Sequence, residues 1–480
     1  MGYRQKTISG LVWQSFSVIG NGGINFLVTI ILARILTPHD FGLIELLVIF
    51  VSVSNVIVDS GFSQAIIRDS NPTNKDLSSV FYFNLLVALV IYATLFISAP
   101  FIADYYNAPE LTIISRVTFL VVIFNSLSLI QNSLLNRELD FKSVSKANVY
   151  GVFISGLCSI TMAFTGFGVW AIVANMVLFP LFKSLFFWTF SRWAPTIEFS
   201  IKSIKKYFTF SVFLMIQGLL DAIVSNIVSL FIGKAYTKTD LGYFSQGKKM
   251  DSYILAPFSQ IINKVTYPVL SKIKDENERL KVAYRQIVRI VMFAIIPLMS
   301  FVTITSTNFM FFLFGEKWIQ SGIYLQLFAI GGIFMPLQQV FVNVVLIQAK
   351  SKQILFMAII KQSIRLLFVI LLIKKGVFWI AVGFVLSGVL GSILYISIGM
   401  KGINYTLREL LKDLHQTITT TLVSIVMVYF VGVFMKEINT YALFSVQLLV
   451  MLVSYILTNK IITNKTLSEL YMVVKDIKNK

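Results

Sequence analysis

The chain has 480 residues, 56% of them apolar or aromatic and only 13% charged. Soluble domains carry about 25% charged residues, so a water-soluble globule is excluded: its surface could not be covered. The net charge of +19, from 41 basic and 22 acidic residues, would suggest nucleic acid in a soluble protein. Here the basic residues are scattered through short gaps between apolar runs, a pattern of membrane topology that argues against a nucleic-acid partner. The single cysteine, Cys158, excludes an intramolecular disulfide, and His39 and His415 lie far apart at span ends. No metal site and no cofactor are expected.

A bilayer core of about 30 Å needs about 20 apolar residues per helix. The chain opens on "MGYRQKTISG", basic and followed by an apolar run from Leu11 to Leu32. That run is too long for a signal-peptide core, so it predicts an uncleaved first membrane helix. Fourteen spans are predicted in all: 10–33, 42–62, 79–103, 113–136, 146–165, 168–190, 208–233, 250–270, 287–314, 322–347, 354–374, 376–400, 416–435 and 441–460. The eighth carries "PFSQIINKVTYP", polar for a helix facing lipid. Only "GFG" separates the fifth and sixth spans and "KKG" the eleventh and twelfth, so each pair is antiparallel. Lys and Arg concentrate in alternate gaps, which predicts both termini in the cytoplasm. "SKIKDENERLKVAYRQIVR" and the tail "NKTLSELYMVVKDIKNK" read as amphipathic cytoplasmic helices.

One stretch occurs twice. "LARILTPHDFGL" (32–43) is echoed by "IGKAYTKTDLGY" (232–243): Thr37, Asp40 and Gly42 match Thr237, Asp240 and Gly242 at an offset of 200 residues. The copies follow the first and seventh spans. Six spans between them give both copies one orientation, so the repeat is parallel. The predicted fold is an all-α integral membrane protein with about 14 transmembrane helices in two pseudo-symmetric six-helix lobes plus two C-terminal helices. Its parts are an N-lobe (1–190), a linker (191–207), a C-lobe (208–400), and a last part (401–480) with the final two spans and the tail. Thr or Asp in the echo can cap a helix, and the glycines allow a tight turn or close packing.

The same offset aligns Asn21 with Asp221. Gln14, Ser17, Asn21 and Asn25 share one face of the first span, and Gln217, Asp221 and Ser225 one face of the seventh. Two polar stripes imply a central wet cleft. Charges inside a bilayer must face protein or water. Asp221 and Arg365 are the deepest, with Lys361 one turn before Arg365. Lys183 and Lys264 lie nearer the inner rim, where snorkelling is the competing reading. Glu45 and Asp59 read as interfacial. The substrate cavity is expected from Asn21, Asn25, Lys183, Gln217, Asp221, Lys264, Gln339, Asn343, Lys361 and Arg365, and the ion-coupling carboxylate from Asp221. A structural pairing of Asp221 and Arg365 is the alternative. The basic surplus suits an anionic cargo such as a phosphate or pyrophosphate head group.

"SGLVWQSFSVIGNGGINFLVTIILARILTPHDFGLIELL", "DSGFSQAIIRDSNPTNKDLSSVFYFN", "LLNRELDFKSVS" and "TDLGYFSQGKKMDSY" resemble the Wzx-type polysaccharide flippases. The resemblance is to the lipopolysaccharide-biosynthesis and colanic-acid-exporter subgroup of the multidrug/oligosaccharidyl-lipid/polysaccharide exporter superfamily. It is strongest over 1–260 and diffuse beyond about 350. It implies movement of undecaprenyl-pyrophosphate-linked oligosaccharide units from the inner to the outer leaflet of the bacterial cytoplasmic membrane by alternating access, driven by H+ or Na+. It further implies membrane lipids, a polysaccharide polymerase and a chain-length regulator as partners. No residue motif for substrate binding carries over. Competing readings are a peptidoglycan-precursor flippase, a small-molecule antiporter of the same superfamily, and a membrane glycosyltransferase or polymerase. The last would call for a large outer loop or a catalytic cluster that this sequence lacks.

Overall fold

A computed structural model describes residues 3–69, 71–271, 273, 276–348, 351–435, 437–462 and 466. All regular structure among them is helical. The helices are α1 (Tyr3–Ile35), α2 (Pro38–Asp59), α3 (Phe62–Arg68), α4 (Asn74–Tyr105), α5 (Leu111–Thr118), α6 (Leu120–Arg137), α7 (Phe141–Phe164), α8 (Trp170–Phe190) and α9 (Ile201–Ala235). They continue with α10 (Lys238–Ser271), α11 (Asn277–Phe314), α12 (Ser321–Gly332), α13 (Phe334–Ile347), α14 (Ser351–Leu372), α15 (Val377–Gly402), α16 (Leu407–Phe434) and α17 (Thr440–Ile461).

Each of the fourteen predicted spans falls on a helix or on a helix pair broken at one residue, Phe119 or Ile333. Eleven helical stretches among the described residues are long and apolar enough to cross a bilayer, and Gly20–Ile35 is a shorter apolar one. The protein is a multi-pass membrane protein. Two boundaries are corrected. The helix that carries the eighth predicted span begins at Lys238 rather than at 250, so Lys248 and Lys249 are helix, not loop. The proposed surface helix at 271–289 does not stand alone: from Asn277 it is the opening of the 38-residue α11. The predicted tail helix lies, except for Thr466, outside the described residues.

The helices group into two compact units, Met1–Gly242 and Tyr243–Lys480. In the first unit α7 packs on α1 and α8, α6 on α4 and α8, and α2 on α9. In the second, α11 packs on α12, α16 and α17, and α15 on α13 and α14. Lipid tails are as apolar as leucine, so helix association in a bilayer relies on close fit and interhelical hydrogen bonds. Small residues supply both. Ser159 is fully buried and donates to the Ala171 carbonyl at 2.7 Å, joining α7 to α8. Large side chains such as Phe101, Phe213, Phe434 and Leu449 point outward, where a bilayer would cover them.

The repeated stretch has a structural reason in both copies. Thr37 caps α2: its hydroxyl accepts from the Asp40 N–H, and the Thr37 N–H donates to the Asp40 carboxylate at 2.9 Å. Thr237 and Asp240 do the same at 3.1 and 3.3 Å. Such a box satisfies two of the free N–H groups at a helix start. The glycines then bring the two starts together. A Cβ on Gly42 would overlap the Lys238 carbonyl, and one on Gly242 would overlap the Pro38 carbonyl. Of the two roles open to these glycines, close packing is the one they have. The echo is thus a reciprocal contact between the repeated elements.

Below it, the segment after α3 is tied to the start of α9. Lys206 pairs with Asp69 at 2.6 Å and Asp76 at 3.3 Å, and the Tyr207 hydroxyl donates to Asp69 at 2.7 Å. The hydrogen bond from Lys206, then that from Tyr207, pulls the Asp69 carboxyl down to about 2.

Candidate functional site

The first unit encloses a cavity of about 500 Å³ among α2, α3, α6, α8 and α9. Its polar lining comes from helical spacing. Asn55 and Asp59 are one turn apart on α2; Asn125, Ser128 and Asn132 recur at three- and four-residue steps on α6. Ser63 and Gln64 enter from α3, and Lys183 from α8. Leu214 and Gly218 of α9 complete the wall.

Lys183 is its cation. The ammonium donates to Asn125 Oδ1 at 3.2 Å, and Asn125 Nδ2 donates on to Asn55 Oδ1 at 3.1 Å. The chain Lys183–Asn125–Asn55 orients the amide so that its oxygen faces the charge. The backbone of Lys183 is held where α7 approaches closely: a Cβ on Gly151 would come within 3.2 Å of the Lys183 nitrogen. Asp59 turns one carboxylate oxygen to the Ser63 N–H at 3.3 Å. An ammonium has three donors, and the Asn125 amide engages one of them, leaving capacity for an anionic or hydroxyl-bearing ligand. The volume falls within the range of ligand pockets.

The expected site residues separate on inspection. Lys183 lines the cavity. On α1, Asn25 Nδ2 donates to Asn21 Oδ1 at 3.0 Å, so this stripe is paired with itself, and neither residue lines the cavity. Gln217 and Asp221 are exposed on α9; their neighbour Gly218 lines the cavity but they do not. The side chains of Gln14, Ser17 and Lys264 lie outside the described residues.

In the second unit Lys361 donates to Gln338 Oε1 at 3.2 Å, and the Ser392 hydroxyl donates to the same oxygen at 2.8 Å. The Arg365 guanidinium lies 4.3 Å over the Phe384 ring, with the Lys248 ammonium 5.5 Å from that ring. Arg365 Nε is buried with no hydrogen-bond partner among the described residues. Asn343 is buried with its Nδ2 likewise unpartnered, and Gln339 is half-buried. Lys361 and Arg365 therefore share one polar region of the second unit with Gln338.

Asn55, Gln64, Asn125 and Asn132 were missed by sequence reasoning, and Asp59 reads there as interfacial although it lines the cavity. The signal was present in "FNSLSLIQNSLLNRELD", where Asn125, Ser128 and Asn132 mark one face. Neutral amides are cheaper to bury than charges and so stand out less.

A profile of the family described as "Polysaccharide biosynthesis protein" matches residues 31–323. Among characterised relatives, the teichuronic acid biosynthesis protein TuaB of Bacillus subtilis is 24% identical over 69% of each chain. The lipopolysaccharide biosynthesis protein WzxC of Escherichia coli is 24% identical over 69% of this chain and 68% of its own. Among solved structures, the lipid II flippase MurJ in an inward closed conformation superimposes with a TM-score of 0.74 at 17% identity, covering 94% of this chain and 98% of that one. A multidrug-resistance MATE transporter in an inward-facing conformation gives a TM-score of 0.60 at 14% identity, covering 82% and 98%. These likenesses establish the shared fold.

Proposed function

For a chain that belongs to the polysaccharide biosynthesis protein family, we propose the work of a flippase: it turns undecaprenyl-pyrophosphate-linked oligosaccharide units from the inner to the outer leaflet of the bacterial cytoplasmic membrane. The observation that carries this reading is the cavity around Lys183. A membrane protein has no cause to keep an ammonium, a carboxylate and three asparagine side chains around an open volume unless something polar enters it. Amides and hydroxyls suit sugar hydroxyl groups; the ammonium suits a phosphate or an acidic sugar. The prenyl tail stays in lipid. Relatives named for teichuronic acid and lipopolysaccharide biosynthesis support the same class of cargo.

In this reading two lobes, 1–190 and 208–400, rock about the linker 191–207 while the last two spans stand outside them, and both termini are cytoplasmic. An ion gradient drives the cycle, with H+ or Na+ as the ion, and a polymerase and chain-length regulator receive the product. Lys361, Arg365, Gln339, Asn343 and Lys264 of the second lobe, with Asn21, Asn25, Gln217 and Asp221, would meet the cargo at other stages.

Deletion of the gene followed by analysis of lipid-linked glycans tests the proposal. Completed units accumulating on the cytoplasmic leaflet are the expected result. Truncated units would assign the protein to glycan assembly instead, and accumulation of peptidoglycan precursor would redirect it to cell-wall synthesis.

A further inference from the structure

The second repeat carries a group that the first lacks. At the 200-residue offset, Asp251 of α10 stands where α2 has Val51, and each is only 8% exposed. The fold at this position is satisfied by an apolar side chain, so the carboxyl is not there for packing. By helix rise, Asp251 lies about 20 Å along α10 from its start, far from the helix end where water would solvate it.

One of its two oxygens is orphaned. Oδ1 is buried and has no hydrogen-bond partner among the described residues. It points at α12, where a Cβ on Gly332 would come within 2.7 Å of it, 2.7 Å of the Met299 methyl of α11 and 3.1 Å of Leu255 Cδ1. Residues 290–314 of α11 and all of α12 contain no charged residue. The cations on α10 and α14 meet other surroundings: Lys249 is exposed, Lys248 lies over Phe384 together with Arg365 of α14, and Lys361 donates to Gln338. Tyr324 of α12 packs on Phe244, and Tyr253 follows on α10.

A carboxylate whose buried oxygen has no donor is disfavoured as an anion, because the desolvation of that oxygen is not offset by a partner. A hard metal cation would need several oxygen ligands, and the side-chain atoms that crowd Gly332 together with Oδ1 are a methionine methyl and a leucine carbon. We propose that Asp251 is the proton-carrying group of this transporter. In the conformation seen it is the neutral acid. When the contact between α10 and Gly332 opens to water, its O–H bond breaks, the proton passes to water and the carboxylate remains until a proton returns. This rests on the flippase reading for its purpose, and it selects H+ over Na+ and Asp251 over the exposed Asp221.

The test uses the full-length protein reconstituted in phosphatidylethanolamine–phosphatidylglycerol vesicles, with a hydrophobic carbodiimide as the probe. This reagent adds to a protonated carboxyl in apolar surroundings. Peptide mass mapping should find the adduct on Asp251 at about tenfold the level on Asp221, falling as the pH rises, and unchanged when NaCl replaces KCl. In cells, Asp251→Asn, which mimics the neutral acid, should reach wild-type membrane levels and lose export. Protection by Na+ at fixed pH, an absent adduct, or unimpaired export in Asp251→Asn would overturn the proposal. The labelling does not depend on the cargo, so it stands or falls separately from the flippase reading, which the glycan analysis decides.

Discussion

Each unit buries cations where lipid surrounds it, and the two do so differently. Lys183 of the first unit faces an open polar volume and is steadied by one amide. Lys361 and Arg365 of the second are met by side chains: Gln338 and Ser392 around one, the Phe384 ring under the other. The difference teaches how a charge in a bilayer is made tolerable. It can face water and wait for a ligand, or it can be absorbed by its own helices. Only the first arrangement lets an anion approach without rearrangement, so the two units should respond unequally to the same substitution.

Between the buried cations of the two units, the largest expected effect is at Lys183. Lys183→Met should lower export by about 10- to 100-fold, the worth of a charge-assisted hydrogen bond, with membrane levels and unfolding midpoint unchanged; quantified surface glycan is the readout. Export at wild-type rate would break the comparison at its centre. Asn125→Leu comes next. It removes the acceptor that orients Lys183 and should cost about tenfold in export at normal expression.

Arg365→Ala should act mainly on the fold. Loss of the ring contact is worth about 0.5–2 kcal/mol, read as a fall of about 0.5–2 °C in the unfolding midpoint in detergent. If stability held while export vanished, Arg365 would join Lys183 as a ligand group.

The smallest effect is expected at Lys206, an exposed cation on Asp69 and Asp76. Lys206→Met should cost under about 1 kcal/mol. The carboxyl of Asp69 is depressed to about 2, below its ordinary value of about 3.9. Its contribution is therefore complete above about pH 4 and is lost as the pH falls through about 2. Thermal scans of wild type and variant should differ by a constant amount from about pH 5 to 8, and a gap that changed across this range would implicate another group.

Much of the fold was legible because hydropathy is a local property. Fourteen apolar runs became helices, and the Thr–x–x–Asp boxes announced where α2 and α10 start. Lys183 was legible as a lone charge in an apolar run. Its partners were less so: Asn55 and Asn125 lie on different helices, and their hydrogen bond spans 70 residues of chain. Asn21 and Asn25 share a face as expected, yet that face is satisfied by their own pairing. Asp251 escaped because it stood at the very start of the predicted span 250–270, where a charge draws no notice, whereas the helix begins at Lys238 and places it well inside.

By itself the sequence determined that this protein is helical, crosses the membrane many times and contains one element twice, since composition, apolar run length and capping act through neighbours in the chain. It also marked some of the charges held within the helices, Lys183, Lys361 and Arg365, but not Asp251, and it placed the exposed Asp221 too deep. The tertiary structure decided what each buried group faces. It turned the paired glycines from turn residues into a contact between helix starts, gave Lys183 an open cavity and Arg365 a ring, and left Asp251 without a donor. The reason is geometric: burial follows from the length of an apolar run, but the partner of a buried group depends on which helices pack together and in what register.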